Sequence, residues 1–431
     1  MAQKILVAGA GKSSASLIHY LLSRASSNNW EVIIADNSLE AARAKAGGHP
    51  QSRPVQLDIN NAHDRAALVA GADIVVSLMP PTLHVLLAED CLAQGKHLIT
   101  SSYISPQMAA MDEAVKAAGL MFMCEMGLDP GIDHMSAMQI LDDIHTRGGK
   151  LIFFKSYCGG LVAPESDDNP WHYKFTWNPR NVITAGADGA QYLEGGQEKM
   201  VGYKDMFAPL EPIHVEGLGE LAYYPNRDSL HYIQLYDVPE VQDFMRATLR
   251  YPAFIKAWNE LIQGGLTNVD VQHDFTGMNR ADWMTKALAP ENIQPDIKAQ
   301  LDWLGLYEDA PMPLTHGTNG DALLAILLEK WAMQPGDKDM VVMQHEVVSE
   351  AAGRQQQLIS SMIVIGDNEE ETAMAKTVGL PMALLAEGIL NGSIQPVAGV
   401  HIPIAKSIYE PLLRGLDALG ISFRETLRPL G

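Results

Sequence analysis

The sequence predicts an α/β protein that combines a doubly wound parallel sheet with a second, α+β domain. Short apolar segments alternate with helical patterns through the first third of the chain, and a glycine-rich turn follows the first apolar segment. Beyond residue 131 this alternation ends, and aromatic, glycine and proline residues become frequent. The length of 431 residues suits two or three domains of roughly 100–200 residues each.

The alternating segments define the first domain. They predict six strands, at Lys4–Ala8, Glu31–Ala35, Val55–Leu57, Ile74–Leu78, His97–Ile99 and Leu120–Cys124. The stretches between them predict helices at Ser13–Ala25, Leu39–Ala46, Asn61–Ala70, Leu83–Gln94 and Pro106–Ala118. Strands separated by helices pair in parallel, and right-handed crossovers then cover both faces of the sheet. Ligands are expected at the carboxyl ends of the strands.

A second domain is predicted over residues 131–399, and the first domain over residues 1–130 together with about 400–431. The second domain is expected to contain a helix at Asp133–Arg147, strands at Lys150–Tyr157, Met340–Val348 and Gln357–Ile365, and a helical insert at about 239–309. An amphipathic helix at Ile404–Leu419 is expected to return to the first sheet.

Charge and composition exclude several classes of function. Lys and Arg number 31 against 52 Asp and Glu, a net charge of −21, which argues against nucleic acid or an anionic membrane as partner. The three cysteines are far apart and the histidines form no metal-ligand motif, so neither a disulfide framework nor a metal site is expected. Because the chain shows no signal-peptide pattern and no apolar run of about 18 residues, a cytoplasmic protein is predicted.

The turn after the first strand has the pattern of a dinucleotide-binding loop in a Rossmann-type sheet. In Gly9-Ala10-Gly11-Lys12-Ser13-Ser14, Gly9 permits the tight turn and Gly11 lets the backbone approach a pyrophosphate. Asp36 ends the second strand, where a carboxylate accepts hydrogen bonds from ribose hydroxyls and repels a 2′-phosphate. The residues therefore favour NAD over NADP. Capping of the next helix is the alternative role of Asp36.

Two further turns lie where a bound dinucleotide would run. Asp58 and Ile59 follow the third strand, and Met79 follows the fourth. We expect these residues to contact the cofactor, although the same residue types are common in ordinary turns.

Distinctive blocks recur along the whole chain. They are Ser77-Leu78-Met79-Pro80, Thr100-Ser101-Ser102-Tyr103, Gly127-Leu128-Asp129-Pro130-Gly131-Ile132-Asp133-His134, Ser156-Tyr157-Cys158-Gly159-Gly160-Leu161, Tyr173-Lys174-Phe175-Thr176-Trp177, Tyr224-Pro225-Asn226-Arg227-Asp228-Ser229, Thr248-Leu249-Arg250-Tyr251 and Ala373-Met374-Ala375-Lys376. Together these blocks resemble the saccharopine reductase family, the L-glutamate-forming saccharopine dehydrogenases. The block at residues 127–134 is the most specific of them.

This resemblance implies an oxidoreductase of lysine metabolism. The reaction would oxidise the CH–NH group of saccharopine reversibly, with NAD or NADP as hydride acceptor, to L-glutamate and 2-aminoadipate 6-semialdehyde. The first domain would bind the dinucleotide, and the second would bind substrate and form a homodimer. Members of the family mostly use NADP, whereas Asp36 favours NAD.

The resemblance also assigns roles to individual residues. The cofactor would contact Met79, Thr100, Ser101, Leu128, Asp129, Pro130 and Thr176, in addition to the glycine-rich loop. The substrate would contact Ser101, Ser102, Tyr103, Asp129, Arg227, Thr248, Leu249 and Arg250. Saccharopine carries three carboxylates, and an arginine clamps a carboxylate with a planar fork of donors. Ion pairing within the protein is the alternative for the arginines, and turn or cap formation is the alternative for the serines and Asp129.

The residue that transfers protons is left open. Oxidation of the amine needs a base with a tuned pKa, and the candidates are Asp129, Tyr103, Cys158 and His134. Cys158 and His134 are more typical of packed positions, and the substrate's own amine or carboxylate is a further alternative. Lys174 is an additional candidate cation. The aromatic residues Trp171, Tyr173, Phe175 and Trp177 belong either to a core strand or to a cleft wall.

Two other functions compete with this assignment. A related reductase that condenses another aldehyde with an amine, such as carboxynorspermidine synthase, would act on a compound with fewer carboxylates. A non-catalytic NAD(P)-binding sensor would keep the fold without the hydride chemistry.

Overall fold

The computed structural model describes residues 2–430, so Met1 and Gly431, the outer limits of the predicted first domain, lie outside the described residues. The chain divides into two compact units. The first unit comprises the residues up to Thr146 together with Gly366–Ser422, and the second comprises Arg147–Ile365 together with the residues from Phe423 onward.

The N-terminal segment of the first unit alternates strands and helices as predicted. Its strands are β1 Gln3–Ala8, β2 Trp30–Asp36, β3 Ser52–Gln56, β4 Ile74–Ser77, β5 His97–Thr100 and β6 Met121–Met123. Its helices are α1 Ala15–Asn28, α2 Leu39–Ala46, α3 Ala62–Ala70, α4 His84–Gln94, α5 Pro106–Ala109, α6 Asp112–Ala117 and α7 Ile132–Thr146. The single helix predicted at 106–118 is divided into α5 and α6.

The strands of this segment are parallel, and its central strands are buried. Residues Ile5–Ala8 of β1 and Ile74–Val76 of β4 are fully buried, as expected of central strands covered on both faces. Helices α2 and α3 begin at polar caps, since the Ser38 hydroxyl accepts from Ala41 N and the Asn61 side chain accepts from Asp64 N. The predicted fold class is confirmed in this unit.

The middle of the chain forms most of the second unit. Its strands are β7 Lys150–Val162, β8 Ala190–Glu194, β9 Gln197–Val201, β10 Glu211–Val215, β11 Gly219–Pro225, β12 Arg227–Asp228, β13 Asp243–Arg250, β14 Gln272–Asp274, β15 His316–Thr318, β16 Asp339–Ala351 and β17 Arg354–Ile365. Its helices are α8 Pro179–Ile183, α9 Tyr203–Met206, α10 Leu230–Leu235, α11 Pro252–Gln263, α12 Arg280–Ala287, α13 Pro295–Trp303 and α14 Asn319–Lys330.

A mixed sheet and a helical core organise the second unit. The main path of the sheet runs β10-β11-β13-β7-β16-β17 and ends on the last strand of the chain, with β8, β9 and β12 attached beside β13. The predicted strand pair at residues 340–365 is present as the antiparallel hairpin of β16 and β17. Trp171, Tyr173 and Phe175 are fully buried in the aromatic core with Trp331, so these residues belong to the core.

The helical insert predicted at about 239–309 is only partly correct. It begins with β13, which lies between β11 and β7 in the sheet, and its helices continue through α14 to Lys330. Phe244–Ala247 are all buried, including the charged Arg246. The sequence of this run shows no clear two-residue period, so its local pattern does not distinguish a strand from the helices that follow it.

The chain then returns to the first unit and ends in the second. The returning elements are α15 Ala373–Leu390, β18 Gly399–His401 and α16 Lys406–Ala418, and the chain ends with β19 Arg424–Leu430. β18 pairs in parallel with β6 and completes a seven-stranded sheet of order β18-β6-β5-β4-β1-β2-β3. β19 pairs with β17 in the second unit.

These returning elements place the unit boundaries differently from the predicted 130 and 400. α7 packs against α16 and α15 packs against α1, so residues 132–146 and 373–390 belong to the first unit. The ladder between β17 and β19 places the residues from 423 onward in the second unit. Long-range packing of this kind leaves no local signal in the sequence.

α15 is an apolar helix, although Lys376 and Glu387 interrupt its apolar run. Its 18 residues have a mean hydropathy of 1.4 and meet the length and composition of a membrane span, but 67% of this window is buried inside the fold. The core helix of a soluble fold has the same properties, so α15 is weak evidence for a membrane span.

Candidate cofactor and substrate sites

The glycine-rich turn lies at the carboxyl edge of the seven-stranded sheet, between β1 and its neighbour β4. Gly9 has φ +107°, and a Cβ there would lie 3.0 Å from the Leu78 carbonyl oxygen, so this position requires glycine. Gly11 has an ordinary φ of −72°, and a Cβ there would point into open space. Steric packing therefore explains why position 9 is glycine but does not explain the glycine at position 11. The space beside Gly11 is the cradle that a dinucleotide pyrophosphate fills in this fold.

The Asp36 carboxylate is held rigidly beside this turn. Its Oδ2 accepts a 2.8 Å hydrogen bond from Ala10 N, and its Oδ1 accepts one of 2.8 Å from Ser38 N. The cap of α2 is Ser38, so the alternative role of Asp36 as the helix cap is wrong. The carboxylate instead ties the end of β2 to the dinucleotide turn.

The rest of the predicted cofactor loop forms one short helical turn. Lys12–Ser14 adopt a 3-10 helix ahead of α1, and the buried Ser14 hydroxyl donates to Gly11 O at 2.8 Å. Lys12 is exposed and Ser13 is half-buried. Ser14, where the common motif has glycine, therefore closes the turn.

The turns after β3 and β4 have structural explanations of their own. Exposed Asp58 accepts from Asn60 N at 3.0 Å, which makes a local turn, and buried Ile59 accepts from Arg65 through its carbonyl at 2.6 Å. Met79 is half-buried against the core of the sheet. Their contacts with a cofactor stay a prediction.

Two loops that carry predicted site residues lie side by side in the first unit. Met126 N donates to Thr100 O and Glu125 N donates to Ser102 O, each at 3.0 Å. These bonds bring the segment with Ser101, Ser102 and Tyr103 against the segment that continues to Asp129. The Thr100 hydroxyl accepts from Ser102 N at 3.1 Å and so shapes its own turn.

The segment at residues 127–131 is a very tight loop. Gly127 N donates to Pro130 O at 3.0 Å, and the peptide between Asp129 and Pro130 is cis. A Cβ at Gly131, which has φ +146°, would lie 2.1 Å from the Gly127 carbonyl oxygen. The loop leaves Asp129 half-buried and Leu128 and Pro130 buried.

A buried acid–imidazole pair supports both loops. His134 Nε2 lies 2.9 Å from Glu125 Oε2, and Glu125 Oε1 accepts from Ile104 N at 3.3 Å. His134 is fully buried, so the structure places it in this pair and away from solvent. Glu125 was not identified from the sequence, because a lone glutamate beside a strand end carries no distinctive pattern.

His84 is the second residue that sequence reasoning missed. It is the first residue of α4, and its ring contacts the hydroxyls of Ser77 and Ser102. The sequence does carry a signal for His84, because this histidine begins a helix that follows a strand at the ligand-binding edge of the sheet.

In the second unit, three predicted substrate residues and the proton-transfer candidate Cys158 lie on two neighbouring strands. β7 and β13 are parallel, with Cys158 in register beside Thr248, and Leu249 and Arg250 follow. A Cβ at Gly159 would lie 2.6 Å from Leu249 O, so the glycine after Cys158 lets the two strands approach closely. Cys158 is buried and Thr248 is half-buried. Thr176 is buried in the segment after the aromatic core.

Arg250 is a buried cation for which the described residues supply no counterion. It is 4% exposed, its Nη1 donates to Leu249 O at 2.7 Å, and its guanidinium lies 5.3 Å from the Tyr173 ring centre. Among residues 2–430, no carboxylate lies within 4.0 Å of it and its Nε has no hydrogen-bond partner. Since a buried unpaired charge is destabilising, the arrangement is suited to binding an anionic ligand.

Arg227 and Lys174 occupy different environments. Arg227 is exposed, has φ +50°, and its Nη1 lies 3.2 Å from Asp188 Oδ2. Lys174 is buried between Asp168, at 2.8 Å, and Asp337, at 2.7 Å. Burial alone would lower the pKa of Lys174, but the hydrogen bonds to these two carboxylates raise it above its usual value. The structure thus contradicts Lys174 as a candidate cation for substrate, because both carboxylates already neutralise it.

Comparisons with known proteins agree along the whole chain. The model of the saccharopine dehydrogenase NADP binding domain matches residues 5–123, and that of the saccharopine dehydrogenase C-terminal domain matches residues 127–421. The saccharopine dehydrogenase (NADP+, L-glutamate-forming) of Pyricularia oryzae is 34% identical over 92% of this chain and 93% of its own length. The mitochondrial alpha-aminoadipic semialdehyde synthase of Bos taurus is also 34% identical, over 98% of this chain but only 47% of its own length.

A solved structure has the same fold. The apo L-glutamate-forming saccharopine dehydrogenase of Saccharomyces cerevisiae superposes with a TM-score of 0.91 at 31% identity, over 99% of this chain and 100% of that chain. The resemblance predicted from the sequence blocks is thereby confirmed. Matched from residue 5 to residue 421 by family models and over nearly its full length by curated relatives, the chain belongs to the saccharopine dehydrogenase family.

Proposed function

We propose that this chain is an NAD(P)-dependent saccharopine dehydrogenase of the L-glutamate-forming type. The observation that carries the proposal is the buried guanidinium of Arg250, which lacks a protein counterion in the described chain and suits a carboxylate of the substrate. The names of the relatives, matched over nearly their full length, support saccharopine as that substrate. The reaction is oxidation at the secondary amine and is reversible.

The second unit would bind two separated carboxylates. Asn226 N donates to Arg246 O, which places Arg227 beside a point on β13 four residues before Arg250. At about 3.3 Å per residue this is roughly 13 Å along the strand, a spacing that suits the distant carboxylates of saccharopine. Thr248 and Leu249 would line the backbone between the two arginines.

The first unit would hold the dinucleotide and support proton transfer. The turn at Gly9–Ser14 would bind the pyrophosphate, and Thr100, Ser101 and the loop at residues 128–130 would contact the nicotinamide half. The bound nicotinamide supplies a hydride acceptor for the carbon that bears the amine. We assign proton transfer to Asp129 and Tyr103, which are both half-buried, ahead of the buried Cys158.

Asp36 would make NAD the better cofactor, although the curated relatives are named for NADP+. Both carboxylate oxygens are held by backbone N–H groups at 2.8 Å, so the charge cannot swing away from the ribose position. In the described chain no lysine or arginine forms an ion pair with Asp36. A 2′-phosphate would therefore meet an uncompensated negative charge.

The first experiment measures initial rates of cofactor reduction with saccharopine, comparing NAD and NADP at equal concentrations. We expect turnover with a higher kcat/KM for NAD, and Asp36→Ser should reduce or reverse this preference. Asp417→Ser, at an exposed position on α16 of the same unit, serves as the matched control. A higher kcat/KM for NADP in the unchanged protein would overturn the role given to Asp36.

Arg250→Lys tests the substrate assignment. Lysine keeps the charge but loses the planar fork, so the KM for saccharopine should rise by about tenfold or more while the KM for the cofactor stays unchanged. Exposed Arg354→Lys, in the same unit, is the control. Absence of turnover with saccharopine, together with activity on an amine of fewer carboxylates, would favour the carboxynorspermidine synthase type. NAD(P) binding without any turnover would favour a sensor.

We also propose a homodimer, on the basis of the family resemblance. Sedimentation of the full chain at micromolar concentration should give about twice the chain mass. A monomer under these conditions would contradict the proposal.

A further inference from the structure

A buried histidine bridges two strand ends in the first unit. His84 is 3% exposed and opens α4. Its Nδ1 lies 2.8 Å from the hydroxyl of Ser77, the last residue of β4, and its Nε2 lies 2.8 Å from the hydroxyl of Ser102, which follows β5. Since β4 and β5 are parallel neighbours, the ring connects adjacent positions at the ligand-binding edge of the sheet.

The ring is neutral at pH 7. Burial lowers the pKa of His84 to about 4, and its position in the first turn of a helix also disfavours a positive charge. A neutral imidazole has one proton, so one ring nitrogen donates a hydrogen bond and the other accepts one.

The Ser77 hydroxyl decides which nitrogen carries the proton. Ser77 is fully buried, and within the described chain its hydroxyl has one hydrogen-bond partner, His84 Nδ1. If Nδ1 carried the proton, the Ser77 hydroxyl would accept and its own hydrogen would be buried without an acceptor, which is destabilising. Ser77 therefore donates to Nδ1, and the ring proton resides on Nε2.

The proton on Nε2 also determines how the Ser102 hydroxyl can form hydrogen bonds. Nε2–H donates to the Ser102 oxygen, so the Ser102 hydrogen is free to donate to a third group. Ser102 is half-buried, and no other partner of its hydroxyl is present in the described residues. A hydroxyl fixed as a donor suits an anionic acceptor and disfavours a cationic one.

We propose that His84 is a positioning residue that holds Ser102 as a hydrogen-bond donor to a carboxylate of the substrate, an inference that rests on the proposed function. His84 itself does not touch the substrate. Its effect on binding passes through the Ser102 hydroxyl.

A double-mutant cycle tests whether the effect passes through Ser102. His84→Phe should raise the KM for saccharopine about tenfold with little change in kcat, and Ser102→Ala should do the same. The double variant should be no worse than either single variant. His84→Gln, which can accept from Ser77 and donate to Ser102, should recover most of the affinity. His63→Gln, at an exposed site on α3, is the matched control.

The outcomes separate this inference from the proposed function. If the unchanged protein turns over saccharopine but the effects of His84→Phe and Ser102→Ala multiply, or His84→Gln is as poor as His84→Phe, the positioning role is overturned. Absence of turnover in the unchanged protein overturns the proposed function instead.

If the unchanged protein does not turn over saccharopine, the position of the proton on His84 can still be measured without substrate. Nitrogen-15 NMR of labelled histidines, with His84 assigned by its absence from the His84→Gln spectrum, should show a proton on Nε2 and none on Nδ1 at pH 7. A proton on Nδ1, or a charged ring, would overturn the inference.

Discussion

Arg250 and His84 are both buried polar side chains, but their environments differ in the partners they supply. Among residues 2–430, no carboxylate lies within 4.0 Å of the buried Arg250 guanidinium and only its Nη1 has a hydrogen-bond partner. The His84 ring has two hydroxyl partners, and burial lowers its pKa to about 4. The first arrangement suits a ligand that brings the missing negative charge. The second is complete without a ligand and sets the direction of a hydrogen bond.

The lowered pKa of His84 predicts a pH dependence of stability. In the folded protein the pKa is about 4, against 6.5 in the unfolded chain, so the unfolded chain binds more protons between these values. The stability that the neutral His84 ring contributes to the folded protein is therefore present above pH 6.5 and is lost as the pH falls towards 4. At pH 4.5 the loss relative to pH 7 should be about 2–3 kcal/mol.

Unfolding in urea at pH 7 and pH 4.5 checks this expectation. The free-energy difference between the two pH values should be smaller in His84→Gln by about that amount, and His63→Gln should behave like the unchanged protein. An unchanged difference in His84→Gln would show that another group causes the acid sensitivity.

At the scale of elements, the glycine-rich turn contains one glycine that packing requires, Gly9, and one that packing does not require, Gly11. Gly9→Ala forces φ +107° and a 3.0 Å contact with Leu78 O, so it should lower the melting temperature. Gly11→Ala has no steric conflict and should melt normally, yet its Cβ would occupy the pyrophosphate cradle and raise the KM for the cofactor at least tenfold. Thermal melts and cofactor titrations distinguish them, and unchanged cofactor affinity in Gly11→Ala would refute the cradle.

The contact between β7 and β13 depends on Gly159. In Gly159→Ala the Cβ would lie 2.6 Å from Leu249 O, so the strands must separate and carry Arg250 with them. Stability should fall by about 1–3 kcal/mol, the usual range for overpacking, and the KM for saccharopine should rise. Gly202→Ala, with open space around it, is the control for both measurements. Normal stability of Gly159→Ala would mean that β13 adapts without strain.

At the scale of the whole molecule, the first unit is assembled from two distant segments. Residues up to 146 supply six of the seven strands, and α15, β18 and α16 arrive more than 220 residues later. α15 packs on α1 and α16 packs on α7, so the N-terminal segment alone would expose both apolar faces.

A fragment ending at residue 146 should therefore lack a cooperative thermal transition by circular dichroism. The same fragment joined through a flexible linker to residues 366–422 should regain one and should bind dinucleotide. A cooperative transition of equal midpoint in both proteins would show that the returning segment is dispensable for folding.

Residue patterns were sufficient to predict the six strands, the dinucleotide turn and the family, because each leaves a local signature. Strand residues covered on both faces are apolar without interruption, and Gly9 is required by backbone geometry within one turn. Sequence patterns were insufficient for β13, β18 and β19. β13 is mostly buried, β18 has three residues and β19 is exposed along its length, so none of them shows the two-residue alternation of a half-buried strand.

By itself, the sequence determined the α/β class, the parallel sheet with its ligand edge and membership of the saccharopine dehydrogenase family, because these depend on local periodicity and on distinctive blocks. Only the tertiary structure decided the unit boundaries, the pairing of Glu125 with His134, the bridge from Ser77 through His84 to Ser102, and the missing counterion of Arg250. These features arise between residues that are distant in the sequence or that only burial makes significant. The energies of these buried polar contacts depend on whether each group finds a partner once water is excluded.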